Sequence, residues 1–274
     1  MKLIKKHIYG EVVSYELGYA PVGRPMMNVH FYLAKGVMID TGQSHMQKEV
    51  LRIIKDAGVR MLLITHHHED HSGNASAISK AYRIPVYGHP LTKEKMMKPY
   101  KILPYQHIVW GKNTPMEITA LTAPVSSEDL TFHPVHTPGH SKDLTVYHVP
   151  SKGWLFSGDL YLGDRIKYFR SDERILDQIA SIEKVLTLDF DSLFCGHNPR
   201  HGNGKEHIRS KLNYLKDLYG KIERLRKKGM GPEDIVSSLK LKEVNFVKWF
   251  CFGNVSMMNM VRSAVRDCDA EKAF

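Results

Sequence analysis

Short apolar or alternating runs recur through the first two hundred residues, each closed by glycine, proline or another turn former. Val12–Leu17 reads as a strand that ends in a turn-rich patch holding Pro21, Gly23 and Pro25. Asn28–Leu33 and Gly36–Ile39 read as a hairpin pair, with Ala34 and Lys35 near the turn. Met46, Val50, Ile53, Ile54 and Ala57 repeat at helical spacing, predicting a helix over 45–57 that Gly58 closes. Arg60–Ile64 is a short apolar strand, 72–82 a helix, and Pro85–Tyr87 another strand. Strand, strand, helix, strand, helix, strand is the alternation of an α/β protein. Residues 89–115 read as irregular, rich in Met, Lys, Tyr and Pro, and placed to form a flap over a site. Strands resume at Glu117–Leu121, Leu130–Pro134, Leu144–Val149 and Trp154–Ser157. A helix follows over 173–187, then a final strand at Ser192–Cys195. Helical spacing covers 205–228, 232–239, 243–251 and 255–267. The expected organisation is therefore a sandwich-like unit over 1–204 with a helical extension, 205–274, packed on it.

Composition changes this picture little. With 274 residues, 42% apolar and 25% charged, the chain suits one large globular domain with an appendage. No run approaches the ~20 apolar residues of a membrane span. No apolar stretch follows the basic N-terminal residues, so the cytoplasm is the expected compartment. Three widely spaced cysteines, Cys195, Cys251 and Cys268, suggest neither a disulfide framework nor a cysteine zinc knuckle. The net charge is +10, and residues 200–248 carry 13 Lys and Arg against 6 Asp and Glu. Such a surface steers anionic ligands or simply stays solvated.

Candidate chemistry lies in Thr65-His66-His67-His68-Glu69-Asp70-His71. A continuous helix would not aim residues 66, 68, 70 and 71 at one point, whereas a loop between a strand and a helix can. Imidazole nitrogens and carboxylate oxygens suit zinc, iron or manganese. Three later residues share the character. His140 in Thr137-Pro138-Gly139-His140 precedes a strand. Asp159 in Ser157-Gly158-Asp159 and His197 in Cys195-Gly196-His197 each follow one. Ligand-type side chains beside glycine at strand ends can enter a common cleft.

Taken in order from about residue 28 to 200, these motifs resemble the metallo-β-lactamase-fold hydrolase superfamily. Asp40 in Asp40-Thr41-Gly42 is similar to that family's early DTG element. The resemblance implies an αββα four-layer sandwich with two divalent metal ions, zinc foremost, between the sheets. It implies that His66, His68 and His140 hold the first metal and Asp70, His71 and His197 the second. Asp159 would bridge both, and Asp40 would orient a ligand from behind. A hydroxide shared by the metals would then attack an ester, thioester or lactone bond of a small, anionic or neutral substrate. Asp70 would pass the proton to the leaving group.

Departures narrow this expectation. Asp159 stands where β-lactamases of the fold carry a cysteine, which argues against β-lactam hydrolysis. His68 stands where flavo-diiron oxygen reductases carry a glutamate. Persulfide dioxygenases use one iron, whereas the seven-residue set here favours two metals. The stretch Leu160-Tyr161-Leu162-Gly163-Asp164 lacks the glycine- and cysteine-rich pattern of hydroxyacylglutathione hydrolases. Tyr161 resembles a tyrosine of lactonases, at a different offset. A phosphodiesterase or ribonuclease of the same fold, acting on nucleic acid, stays open through the basic tail. The tail is also a surface on which a homodimer could form.

Overall fold

The computed structural model describes residues 1–271. The first sheet contains, in spatial order, β1 (Lys2–Tyr9), β2 (Val12–Tyr19), β3 (Asn28–Ala34), β4 (Val37–Ile39), β5 (Met61–Ile64), β6 (Val86–Gly88) and β7 (Thr119–Ala120). The β1 to β4 pairs are antiparallel and the β4 to β7 pairs parallel. Each parallel step needs a crossover. These are α1 (Gln47–Ile54), then α2 (Glu69–Ser72) with α3 (Ala75–Tyr82), then α4 (Pro90–Met96) with α5 (Pro104–Val109). The second sheet holds β8 (Val125–Ser127), β9 (Leu130–His136), β10 (Thr145–Val149), β11 (Trp154–Gly158) and β12 (Ser192–Cys195), ordered β12-β11-β10-β9-β8. Its single parallel pair, β11 with β12, is linked through α6 (Ile175–Leu186). The chain closes with α7 (Gly204–Lys227), α8 (Pro232–Ser238), α9 (Asn245–Phe250) and α10 (Met257–Glu271).

Three apolar clusters separate four layers. Val12, Tyr32, Leu63, Phe132, Tyr147 and Phe194 interlock between the two sheets. Phe31, Leu62, Val50 and Ile78 bury the outer face of the first sheet under α1 and α3. Leu155, Ile179, Leu215 and Val261 do the same for the second sheet under α6, α7 and α10. The strands are apolar on both faces because both faces are covered. The order is therefore αββα, as the resemblance implies, and the helical tail from Gly204 shares its core with the second sheet.

Three segments differ from the sequence expectation. The strand β1 lacks an apolar face, since none of its residues is buried. It exists through backbone pairing along the whole of β2, and its lysines suit an unpaired edge. Residues 89–115, expected as irregular, hold two short helices joined and followed by irregular chain. Proline opens both α4 and α5, and the His89 side chain caps α4 by accepting from Leu91 N–H at 3.2 Å. The expected strand over 117–121 shrinks to the two residues of β7.

Among the described residues the three cysteines are buried, and no helix is long and apolar enough to cross a membrane. Lys211 on α7 is an unusual core residue: it is buried and donates to Leu160 O at 2.5 Å. Burial lowers its pKa to about 8, against the raising influence of Glu173 and Asp159. Between about pH 8 and the ordinary 10.5, the unfolded chain binds the proton and the folded chain releases it. Stability contributed at this site thus rises with pH across that window. The thermal midpoint of wild type, minus that of Lys211→Met, is expected to climb between pH 8 and 10. A difference that stays flat in a calorimetric pH series would show that Lys211 keeps its ordinary affinity for protons.

Candidate metal centre

The strand β5 delivers the chain into the loop 65–68, and α2 adds a single helical turn. His66 and His68 therefore leave an extended segment, while Asp70 and His71 leave a helix. The turn before β10 brings in His140, the end of β11 brings in Asp159, and the end of β12 brings in His197. All seven residues expected from the sequence meet at one edge of the sandwich, and the structure sorts them into two groups. His66, His68 and His140 form one; Asp70, His71, Asp159 and His197 form the other. Within each group the potential ligand atoms lie within 4.8 Å of one another.

Hydrogen bonds fix which nitrogen of each ring faces inward. His66 Nδ1–H donates to Thr65 Oγ1 at 3.1 Å, since the threonine hydroxyl is itself spent on Asp40. His71 Nδ1–H donates to Asp40 Oδ2 at 2.7 Å, and His140 Nδ1–H to Glu173 Oε1 at 3.2 Å. His197 Nδ1–H donates to the Asn28 carbonyl at 2.6 Å. Four rings thus present Nε2 to the interior. His68 presents Nδ1 instead, 2.9 Å from His66 Nε2 and 3.1 Å from His140 Nε2, and its buried Nε2 has no partner. Three ring nitrogens pointing at one buried point are mutually repulsive unless a cation or protons lie among them. In the second group His71 Nε2 and Asp159 Oδ1 face each other at 3.2 Å, both buried and neither in hydrogen-bond geometry. An outer N–H held by a carboxylate or carbonyl is how metal-binding imidazoles are oriented, so the donor set fits divalent cations.

Asp159 joins the two groups. Its Oδ2 is 3.4 Å from both His140 Nε2 and His197 Nε2, and its Oδ1 is 3.2 Å from His71 Nε2. Asp70 Oδ2 lies 3.2 Å from His197 Nε2. Burial pushes both carboxyls up, but His71 and His197 outweigh it and hold both below the usual carboxylate range. In return, burial lowers His71 and His197 while the carboxylates raise them more, His197 to about 10. Gly196 and Gly158 leave room for this crowding. A Cβ on Gly196 would come within 2.5 Å of Asp159 Oδ1, and one on Gly158 within 2.7 Å of Thr65 Oγ1, with φ at +47°.

Several supporting residues were not expected from the sequence. Asp143 accepts from His67 N–H and His67 Nδ1–H, both at 2.9 Å, from Ser141 Oγ at 2.9 Å and from Thr92 Oγ1 at 3.0 Å. It thereby ties the loop carrying His66 and His68 to the turn carrying His140. Glu173, Asn28 and Gln106 brace the centre likewise; Gln106 Nε2 donates to Glu69 Oε2 at 3.0 Å. His67 and Glu69 point away from the two groups, as their alternation with the candidate ligands suggests. Tyr161 spends its hydroxyl on Asp164 Oδ1 at 2.6 Å and is buried in the core, not at the centre. Cys195 is likewise core, its thiol pushed up by burial to about 12.

The layered sandwich carries, at one edge, buried His and Asp groups able to hold metal ions. The family model described as the metallo-beta-lactamase superfamily matches residues 29–197. The chain is 26% identical over 72% of its length to a beta-lactamase-like protein 2 homolog of Drosophila melanogaster, covering 66% of that protein. It is 31% identical to a hydroxyacylglutathione hydrolase of Legionella pneumophila, over 37% of this chain and 33% of that one. The curated relatives it matches thus extend beyond the region of likeness. Among solved structures, a metallo-beta-lactamase family protein from Thermus thermophilus superposes with a TM-score of 0.66. That likeness covers 94% of each chain at 17% identity and is one of fold. The chain belongs to the metallo-beta-lactamase superfamily.

Asp40 gives the sharpest check on how the centre is supported. Its carboxylate accepts from Thr65 N–H at 2.8 Å, Thr65 Oγ1 and His71 Nδ1–H, and its φ of +57° is one that asparagine also tolerates. Asp40→Asn keeps the backbone but loses the charge behind His71. Zinc affinity, measured by chelator competition, is expected to fall about 10- to 100-fold. Unchanged affinity would mean that Asp40 serves only the fold.

Proposed function

We propose that the protein is a dinuclear-metal hydrolase of ester, thioester or lactone bonds in small substrates. His66, His68 and His140 hold one cation, Asp70, His71 and His197 the other, and Asp159 bridges them. The observation that carries this reading is the Asp159 carboxylate, within 3.4 Å of a ring nitrogen from each group. Zinc is the metal favoured by five imidazoles and two carboxylates without a thiolate, with iron or manganese as variants of the same chemistry. Bound divalent cations lower the pKa of a coordinated water toward ~7 and polarise the scissile carbonyl.

The chain's own residues complete the reaction. In hydrolysis the water oxygen joins the carbonyl carbon, the bond from that carbon to the leaving oxygen or sulfur breaks, and one water proton moves to the leaving group. Asp70, whose Oδ2 lies 3.2 Å from His197 Nε2, is the group placed to carry that proton at a carboxylate oxygen. Likeness to a hydroxyacylglutathione hydrolase supports a thioester or ester over other bonds. A second reading, phosphodiester cleavage in nucleic acid, is favoured by Lys93, Lys95, Lys98, Lys101 and Lys112 on the segment beside the metal loop. In that segment Lys95 Nζ lies 3.4 Å from Asp143.

Turnover of zinc-loaded protein on an aryl ester, an acyl thioester, a lactone and a short RNA separates the two readings. Activity is expected on the carboxyl derivatives, and Asp70→Asn is expected to lower kcat by about 10²- to 10⁴-fold. Cleavage of RNA alone, or Asp70→Asn turnover within tenfold of wild type, would overturn the assignment.

A further inference from the structure

The run His66-His67-His68 contains two residues of the first group and, between them, a histidine that belongs to neither group. Both polar groups of the His67 backbone are nonetheless taken up by side chains. Its N–H donates to Asp143 Oδ2 at 2.9 Å, and its Nδ1–H to Asp143 Oδ1 at 2.9 Å. Its carbonyl accepts from Ser72 Oγ at 2.7 Å, Tyr100 Oη at 2.9 Å and Asn113 Nδ2 at 3.0 Å. Three donors thus meet on a carbonyl that has two lone pairs. Tyr100 follows α4 and Asn113 follows α5, so the segment 89–115 supplies two of the three. Lys95 on α4 adds a cation, its Nζ 3.4 Å from Asp143 Oδ1 and 3.5 Å from both ring nitrogens of His67.

The Asp143 side chain is fully buried and reaches past the metal loop. Its Oδ1 also accepts from Ser141 Oγ at 2.9 Å, and its Oδ2 from Thr92 Oγ1 at 3.0 Å. Ser141 directly follows His140, so one carboxylate grips the chain on both sides of the first group. That group needs a grip. His68 Nδ1 is 2.9 Å from His66 Nε2 and 3.1 Å from His140 Nε2, and lone pairs at such distances push the three rings apart. The second group is braced differently, by Asp40 behind His71 and the Asn28 carbonyl behind His197. A loop already ordered by the fold loses little further freedom when it binds a ligand.

We propose that His67 and Asp143 are positioning residues for the first cation site alone: through them the segment 89–115 sets the spacing of His66, His68 and His140 before any metal binds. The inference rests on the two-metal reading above and goes beyond it by giving the two sites separate supports. Zinc affinity, measured by chelator competition for Asp143→Asn in two backgrounds, tests it. Asp70→Ala leaves the first group intact, and His68→Ala leaves the second. Asp143→Asn is expected to weaken zinc binding about 10- to 100-fold in the Asp70→Ala background and less than about threefold in the His68→Ala background. Tyr100→Phe combined with Asn113→Ala keeps Asp143 and removes two donors to the His67 carbonyl. It is expected to weaken the first site by at least about threefold, and the second site less. Equal weakening in both backgrounds would mean that Asp143 supports the fold as a whole; no weakening in either would mean that the loop needs no clamp. Each of these results overturns the proposal. Wild-type protein that binds a single zinc ion overturns the two-metal reading, while the comparison within the Asp70→Ala background still decides the role of Asp143.

Discussion

Ring nitrogens that face one another across about 3 Å in a buried space repel, and much of this structure is arranged around holding them there. Thr65, Asp40, Glu173 and the Asn28 carbonyl each take the outer N–H of one imidazole. That leaves the inner lone pairs pointing at two adjacent places with no protein donor to meet them. Asp159 adds a carboxylate between those places. A pocket of this kind is costly to bury without charge to offset it, and cations are the simplest compensation the donor types allow.

The four-layer fold supplies the rigidity that this arrangement needs. The inter-sheet core of Tyr32, Phe132, Phe156 and Phe194 fixes the spacing of β5, β11 and β12. The ends of those strands then carry the metal loop, Asp159 and His197 to a common edge. Hydrogen bonds cross from one sheet to the other at that edge: Tyr147 Oη donates to Ile64 O at 2.8 Å, and Thr145 N–H to Thr65 O at 2.9 Å. The helical tail contributes from outside. Lys211 braces the chain just after Asp159, and the α9 to α10 turn reaches Ser171 beside the support of His140.

Much of this was legible in the sequence, for identifiable reasons. Strands buried on both faces and amphipathic helices announce themselves by period, and the ligand-type residues stand beside glycines at strand ends. The supports were harder to read. A backbone carbonyl such as that of Asn28 carries no signature, and Glu173 resembles any acid at a helix start. Asp143 lies close after His140 but reads as an ordinary loop residue until His67 is seen against it. The edge strand β1 was missed because its lysines leave no apolar face. The helices α4 and α5 were missed because they are only seven and six residues long and depend on prolines and tertiary contacts rather than on periodicity. The segment they form was expected as a flap and is instead packed against the metal loop.

If the Asp159 carboxylate joins two cations, the metal stoichiometry of the chain must show it. Metal-free protein reloaded with excess zinc and freed of unbound ions should retain about two zinc ions per chain, with Asp159→Ala holding clearly fewer. A wild-type content of one or less, or a variant that binds as much zinc as wild type, would mean that Asp159 does not join two cations.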